Sequence, residues 1–252
     1  MTVNLKGEGA ACLGLLMLDT QFPRPWGDIG NPKTFAVSVK THVVTQAVPT
    51  TVVRSASGLA GSSLAARFSD AAHDLASCGV WAITSSCGFL VLLQETIQLA
   101  VPHVPVRSSS LLQLPSLLAQ HEEVGVLTIS AEALGPEHLL AAGVPTHRLQ
   151  DVLVQGVAPE SEFVQKIMGN QLSMDVCEAQ GNVVAAAVAL KRKAPSLKHL
   201  VLECTNMPPY QQAIEAATGF TCWTLRDDPV LSRLAMKHCR SPLVGQVHHA
   251  RL

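Results

Sequence analysis

Two cysteines in the sequence stand at turns where a thiol can transfer a proton. Cys87 follows the apolar run Val80–Thr84, and Cys204 follows the run His199–Leu202; a helical pattern comes after each turn. A turn from a strand into a helix presents backbone N–H groups, whose dipoles lower the pKa of a thiol toward neutrality. We therefore predict that both thiols act as acid and base in proton transfer.

The residues around both thiols are suited to binding a carboxylate. Hydroxyl and amide groups donate hydrogen bonds without carrying charge, so they can stabilise the charge that develops when a proton leaves the neighbouring carbon. The same residue types also cap helices, and for either turn alone a cap is the better interpretation. Their presence at both turns favours a site. The predicted substrate-binding residues at these turns are Ser85, Ser86, Gly88, Thr205 and Asn206.

The remaining cysteines are interpreted as packing residues, because they occur in apolar runs or helical patterns. They are Cys12, Cys78, Cys177, Cys222 and Cys239. The total of 7 cysteines is odd and no C-x-x-C pair occurs, so neither a disulfide framework nor a zinc site is predicted. The adjacent residues His248 and His249 are interpreted as a solvated tail. No metal and no cofactor is expected.

The elements that must position these turns alternate between strand and helix. The predicted strands are rich in Val, Leu and Ile, which suits parallel strands covered on both faces. They are Cys12–Leu18, Phe35–Val44, Val80–Thr84, Val104–Arg107, Val124–Ile129, Thr146–Leu149 and His199–Leu202. The predicted helices are Ser62–Ser77, Phe89–Leu99, Leu111–Gln120, Pro136–Ala142, Ser161–Met168, Met174–Lys193, Pro209–Thr218 and Pro229–Cys239. This alternation implies right-handed crossovers and an α/β fold with doubly wound parallel sheets.

The succession of strand, cysteine turn and helix occurs twice, about half a chain apart. This duplication predicts two pseudosymmetric lobes that face each other, with the active site in the cleft between them. The first lobe is expected to comprise residues 1–107 and 209–252, and the second residues 108–208. Ligands of open α/β sheets bind beyond the carboxyl ends of the strands, where both cysteines stand.

The composition excludes several classes of protein. Hydrophobic residues make up 48% of the chain and charged residues 15%, and the formal net charge is −1. Such a chain has material for a buried core but lacks the positive field that attracts nucleic acid or an anionic membrane. No apolar stretch reaches the roughly 20 residues that span a bilayer. We expect a cytoplasmic protein with a small carboxylate substrate, no nucleic-acid or membrane partner, and a homo-oligomeric state, with a dimer as the expected form.

Both cysteine motifs resemble those of the aspartate/glutamate racemase superfamily, which includes hydantoin racemases, maleate isomerases and arylmalonate decarboxylases. The resemblance lies in Ser86-Cys87-Gly88 and in Glu203-Cys204-Thr205-Asn206. Members are similar in carrying one cysteine after a strand in each lobe, the second within a Cys-Thr pair. The loop Gly27–Pro32 resembles a substrate-side loop of the family, which implies substrate binding by Asp28. Thr128 matches a position where the family often presents a hydroxyl, so it is also a predicted substrate-binding residue.

Two departures from the family pattern limit what the resemblance implies. Ser85 and Ser86 stand where an Asn-Thr type sequence is common, and Met207–Tyr210 replaces a His-containing sequence of typical glutamate racemases. Glutamate is therefore not the predicted substrate.

The resemblance implies a racemase or epimerase that works without pyridoxal phosphate. One thiolate would remove the α-proton of an amino acid, related carboxylate or hydantoin, and the opposed thiol would return a proton to the other face. Three alternatives remain open on the same frame. They are a cis/trans isomerase or a decarboxylase of a small dicarboxylate, and a carboxylate-binding protein without catalytic activity.

Overall fold

The computed structural model describes residues 12–53 and 63–238. Their strands form two four-stranded sheets, with strand orders β2-β1-β3-β4 and β6-β5-β7-β8, and every neighbouring pair is parallel. The strands are β1 (Cys12–Leu18), β2 (Ser38–Val44), β3 (Ala82–Ser85), β4 (Val106–Arg107), β5 (Val124–Thr128), β6 (Val152–Gly156), β7 (His199–Leu202) and β8 (Thr221–Trp223). The predicted α/β class with two lobes is confirmed.

Helices connect the strands and cover both faces of each sheet. They are α1 (Pro49–Val52), α2 (Leu64–Ser77), α3 (Gln94–Ala100), α4 (Leu114–Leu118), α5 (Pro136–Ala141), α6 (Glu162–Met168), α7 (Val176–Lys193), α8 (Gln211–Thr218) and α9 (Pro229–His238). No helix within these described ranges is long and apolar enough to cross a bilayer.

The central strands are apolar because both of their faces are covered. All five residues of β5 are buried, and so are all four of β3. One hydrophobic cluster contains residues of both lobes, among them Leu16 of β1 and Leu127 of β5. The two sheets therefore share one core, which fixes the relative positions of the loops at their carboxyl ends.

One predicted strand is wrong. Residues Thr146–Asp151 form a 3₁₀ helix, and the strand follows at Val152–Gly156. The Arg148 side chain in this turn donates hydrogen bonds to the carbonyl oxygens of Leu118 and His121. These contacts with α4 and the segment after it hold the turn against the second lobe, and a sequence pattern cannot reveal them.

The predicted boundary of the second lobe also needs correction. Residues 209–252 were assigned to the first lobe, but β8 pairs with β7 and extends the second sheet. The chain returns to the first lobe only afterwards, where Leu225 and Leu231 pack in a cluster with Leu13 of β1. The reason is an additional helix and strand after β7, which complete the second sheet at its edge. Residues 239–252 lie outside the described part of the chain.

Candidate active site

The turns after β3 and β7 meet between the lobes. The Thr205 hydroxyl donates a hydrogen bond of 2.6 Å to the carbonyl oxygen of Ser86, and this bond ties the two turns together. Cys87 and Cys204 line the same cavity, and they are 8% and 6% exposed. The structure thus brings the two predicted catalytic thiols to one place.

The cavity is small and has two kinds of lining residue. The polar lining residues belong to the two turns and are Ser86, Cys87, Gly88, Glu203, Cys204, Thr205 and Asn206. The apolar lining residues are Leu18, Phe22, Pro49, Val53, Phe89, Ile129 and Ile167. No lysine or arginine occurs among these described lining residues, so they provide no counter-charge for a second substrate carboxylate. Within the described ranges, no group of three or more His, Cys, Asp or Glu side chains is arranged to hold a metal ion.

Cys87 precedes the 3₁₀ helix Gly88–Leu93, as the predicted turn requires. Burial, and secondarily the nearby Glu203 carboxyl, raise the pKa of the Cys87 thiol to about 12. The backbone N–H groups of Phe89 and Leu90 act in the opposite direction because they donate hydrogen bonds to the sulfur. The expectation of a lowered thiol pKa is therefore wrong: in this dry cavity desolvation outweighs the turn dipole.

Cys204 is held by a relay of polar side chains. Its thiol donates to Asn206 Oδ1 at 3.5 Å, while Asn206 Nδ2 donates to Asp28 Oδ2 at 2.7 Å. Asp28 in turn accepts a hydrogen bond of 2.8 Å from Arg24. The charge of Asp28 orients the amide so that its oxygen faces the sulfur. Burial, followed by the Glu203 carboxyl, raises the pKa of Cys204 well above its usual value, so Cys204 is a protonated thiol near neutrality.

Three of the predicted substrate-binding residues do not line the cavity. Asp28 lies behind Asn206, as described above. The Ser85 hydroxyl donates to the Cys87 carbonyl oxygen at 2.9 Å and holds the turn. The Thr128 hydroxyl donates to Glu203 Oε2 at 2.7 Å. In this structure all three position other residues of the site.

Ser86, Gly88, Thr205 and Asn206 do line the cavity. The Ser86 hydroxyl oxygen accepts a hydrogen bond from the Leu18 N–H, which leaves its own hydrogen available to donate to a ligand. The hydrogen of the Thr205 hydroxyl is already used on the Ser86 carbonyl. Carboxylate binding by Ser86 and Asn206 stays a prediction.

Glu203 is a site residue that the sequence reasoning missed. Its side chain is 1% exposed and lines the cavity, and burial raises its pKa to about 8. Oε2 is bound by Thr128, but Oε1 has no hydrogen-bond partner in the described part of the chain. A signal was present in the sequence: an acidic residue directly follows the buried run His199–Leu202 and directly precedes Cys204.

Gly88 is required by the close approach of the two turns. A Cβ atom at this position would overlap the carbonyl oxygen and Oε1 of Glu203. We expect Gly88→Ala to lower the free energy of unfolding by about 1–3 kcal/mol, the usual cost of overpacking. Gly181→Ala is the matched control, because a Cβ there meets no atom within 4 Å and alanine favours the helix. Urea unfolding of both variants is the measurement, and equal stabilities would contradict the contact.

A second contact joins the lobes beside the cavity. Gln21 donates from its backbone N–H to Asn170 Oδ1 at 2.8 Å and from its side chain to the Asn170 carbonyl at 3.1 Å. Asn170 has a φ of 49°, a left-handed conformation that asparagine tolerates better than most residues. Gln21 precedes Phe22, and Asn170 follows the helix that carries Ile167, so the contact lies next in sequence to segments that line the cavity.

Comparison with solved structures identifies the fold. Arylmalonate decarboxylase superposes with a TM-score of 0.56 at 12% identity, covering 90% of this chain and 91% of that chain. Glutamate racemase from Francisella tularensis subsp. tularensis SCHU S4, in complex with D-glutamate, gives 0.52 at 15% identity, covering 91% and 80%. A putative Asp/Glu racemase from Yersinia pestis gives 0.53 at 12% identity, covering 91% and 100%. The resemblance to the aspartate/glutamate racemases is confirmed for the fold.

Comparison of sequences identifies the relatives. No known protein-family model matches the chain. Dimethylsulfoniopropionate lyase 7 of Emiliania huxleyi (strain CCMP1516) is 31% identical over 216 residues, 82% of this chain, and the chain spans 61% of that relative's length. Dimethylsulfoniopropionate lyase of Durusdinium sp. clade D is 30% identical over 217 residues, which are 83% of this chain and 69% of the relative. The chain therefore belongs to the family of the dimethylsulfoniopropionate lyases, and it has the fold of the aspartate/glutamate racemases.

Proposed function

We propose that this chain is a lyase that removes the α-proton of a small carboxylate and releases a leaving group from the β-carbon, with dimethylsulfoniopropionate as the substrate. The observation that carries the proposal is the cavity in which Cys87, Cys204 and Glu203 converge, with Glu203 Oε1 lacking a hydrogen-bond partner among the described residues. The family membership supports a lyase. The fold supports proton transfer at a carbon next to a carboxylate.

The reaction requires a single base. A thiolate takes a proton from the α-carbon, and the C–H electron pair becomes the double bond of acrylate. The bond between the β-carbon and sulfur breaks, and its electron pair leaves with neutral dimethyl sulfide. Because this leaving group carries no charge, no acid has to protonate it. The base returns its proton to water after the products have left.

Cys87 is the better candidate for the base. Two backbone N–H groups, those of Phe89 and Leu90, donate to its sulfur and stabilise the thiolate. The Cys204 sulfur accepts one such bond, from Asn206, and its thiol donates a hydrogen bond to the Asn206 amide oxygen. The negative charge that develops on the substrate carboxylate needs fixed donors, and the free hydroxyl hydrogen of Ser86 is one of them. Both thiols are buried, which strengthens these interactions.

We expect the purified chain to convert dimethylsulfoniopropionate into equal amounts of acrylate and dimethyl sulfide. Gas chromatography of the sulfide and liquid chromatography of the acrylate measure this directly. 3-Methylthiopropionate is the matched control: it keeps the carboxylate but lacks the sulfonium charge that makes sulfur a good leaving group, so it should not react. Failure to release dimethyl sulfide from the folded chain would refute the proposal for this part of the protein.

Racemisation is the second candidate, and one observation favours it. Both thiols line one cavity, and inversion at a carbon requires a proton donor and an acceptor on opposite faces. Incubation of single enantiomers of amino acids and 5-substituted hydantoins, followed by circular dichroism, tests this function. The absence of a basic residue among the described lining residues counts against a dicarboxylate substrate, and so against the related isomerase and decarboxylase reactions of dicarboxylates.

A further inference from the structure

Glu203 has no task in the proton transfer derived above, yet it lies beside both thiols. Its carboxyl group is buried, and one oxygen is held by the Thr128 hydroxyl. The other oxygen, Oε1, has no partner among the described residues and belongs to a side chain that lines the cavity. Leaving a buried polar atom unpaired is costly, so such an atom calls for an explanation.

No positive charge of the described part of the chain is available to this oxygen. Arg24 is the cation that acts on Cys87, and its guanidinium is bound to Asp28 at 2.8 Å. Apart from Arg24, the charged side chains that act on the two thiols are the acidic ones of Glu203 and Asp28. A carboxyl group in these surroundings stays protonated near neutrality until a cation enters the cavity.

The rest of the cavity indicates what kind of cation fits. A primary ammonium group needs several hydrogen-bond acceptors, whereas a sulfonium or quaternary ammonium group has no N–H to donate and is surrounded by alkyl groups. Such a group needs one negative charge and an apolar, preferably aromatic, wall. The cavity is lined by Glu203 and by the aromatic rings of Phe22 and Phe89. The Arg24 guanidinium lies over the Phe22 ring at 4.5 Å from its centroid, so Phe89 is the ring left for a ligand cation.

The position of Glu203 relative to the base also suits a β-substituent. Gly88 directly follows Cys87, and a Cβ atom added at Gly88 would overlap Glu203 Oε1. A cation on this oxygen is therefore close to the turn that carries the Cys87 sulfur. A substrate whose α-carbon faces the thiol would place its β-substituent toward Glu203.

We propose that Glu203 is the cation-recognition residue of this cavity and selects carboxylates that bear a sulfonium or quaternary ammonium group on the β-carbon. The inference rests on the proposed lyase function for the placement of the α-carbon. It goes beyond that function in assigning the charge selection to one side chain, and in extending the ligand class to ammonium analogues that need not react.

Two ligands of equal shape test the proposal by binding alone. 3-(Trimethylammonio)propionate carries the positive charge, and 4,4-dimethylpentanoate replaces its nitrogen by carbon. Isothermal titration calorimetry should show that the wild-type chain binds the charged ligand about tenfold or more tightly than the neutral one at about pH 8.5. At about pH 7, binding of the charged ligand should release about one proton, because Glu203 ionises on contact with the cation. Titrations in buffers of different ionisation enthalpy count this proton.

Glu203→Gln keeps the shape of the protonated side chain and removes the charge. In this variant the two ligands should bind about equally, with no proton release, while the affinity for the neutral ligand stays within about threefold. Glu122→Gln, at an exposed position, is the control for a change of charge and should behave as the wild type. Thermal melts confirm that both variants fold.

Several results would overturn the inference. They are equal affinity of the wild type for the two ligands, binding of the charged ligand without proton release, no binding of the charged ligand, or an unchanged preference in Glu203→Gln. The titrations of the wild-type chain test the inference even if Glu203→Gln does not fold. A wild-type chain that binds the charged ligand with proton release but does not convert dimethylsulfoniopropionate would refute the lyase function and leave the cation site standing. A chain that converts dimethylsulfoniopropionate but binds the charged and the neutral ligand equally would support the lyase function and refute the cation site.

Discussion

Cys87→Ser is expected to lower dimethylsulfoniopropionate turnover by about 1,000-fold or more, whereas Cys204→Ser should retain a measurable part of the activity. A serine hydroxyl is a far weaker acid than a thiol, so it cannot form the base at neutral pH. The Cys204 thiol donates a hydrogen bond to Asn206 Oδ1, and the proposed mechanism does not require it to take a proton from the substrate. Initial rates of dimethyl sulfide release give the comparison.

The same pair of variants separates the two candidate functions. Racemisation needs both thiols, so both variants would lose it alike, while elimination needs only the base. Cys78→Ser, at an exposed cysteine, is the control and should keep full activity. Equal and complete loss of elimination in the folded Cys87 and Cys204 variants would contradict the single-base mechanism. A greater loss in Cys204→Ser would assign the base to the other turn.

The second large effect concerns pH. Burial raises the pKa of the Cys87 thiol to about 12, so the thiolate fraction of the free enzyme rises with pH throughout the neutral and mildly alkaline range. We therefore expect kcat/KM to increase about tenfold for each pH unit from about pH 8 to about pH 10. Below about pH 8 the rise should be steeper, because Glu203, whose pKa is about 8, must also ionise to bind a sulfonium cation.

Glu203→Gln tests the contribution of Glu203 to this profile: the steeper slope of kcat/KM below about pH 8 should disappear, and kcat/KM should also fall because the variant no longer binds the sulfonium cation. The slopes of this pH profile report the coupled titration of several groups of the cavity and are not assigned to single residues. These groups are the two thiols and Glu203, and the charged side chains near them are Arg24 and Asp28. Rates of dimethyl sulfide release must be corrected for the uncatalysed elimination in alkaline buffer. A plateau from about pH 7 upward, with chemistry rate-limiting, would show that the base is not a buried thiol with a raised pKa.

The sequence predicted the position of the two thiols because this position depends on residues that are neighbours in the chain. Cys87 and Cys204 each follow a buried strand, and the small polar residues after a strand indicate a turn at the edge of a sheet. Parallel strands then bring such turns to the same edge, so the meeting of the two lobes there could be expected.

Features that depend on the opposite lobe could not be predicted in this way. The raised pKa of Cys87 results from burial by side chains of both lobes, while only the opposing turn dipole was visible in the sequence. The role of Glu203 depends on Thr128, which lies 75 positions away, and on the atom left without a partner. Strand β8 was missed because it is only three residues long, Thr221–Trp223, and too short to show a pattern.

The contact between Gln21 and Asn170 has a consequence for the fate of the abstracted hydrogen. While these hydrogen bonds hold the lobes together, the two thiols remain almost entirely shielded from solvent. In the proposed elimination, a hydrogen removed from the substrate would stay on the buried Cys87 sulfur, and we expect it to return to the same carbon before it exchanges with solvent. We therefore expect internal return to compete with the proposed elimination, so that little isotope from the solvent enters the unreacted substrate.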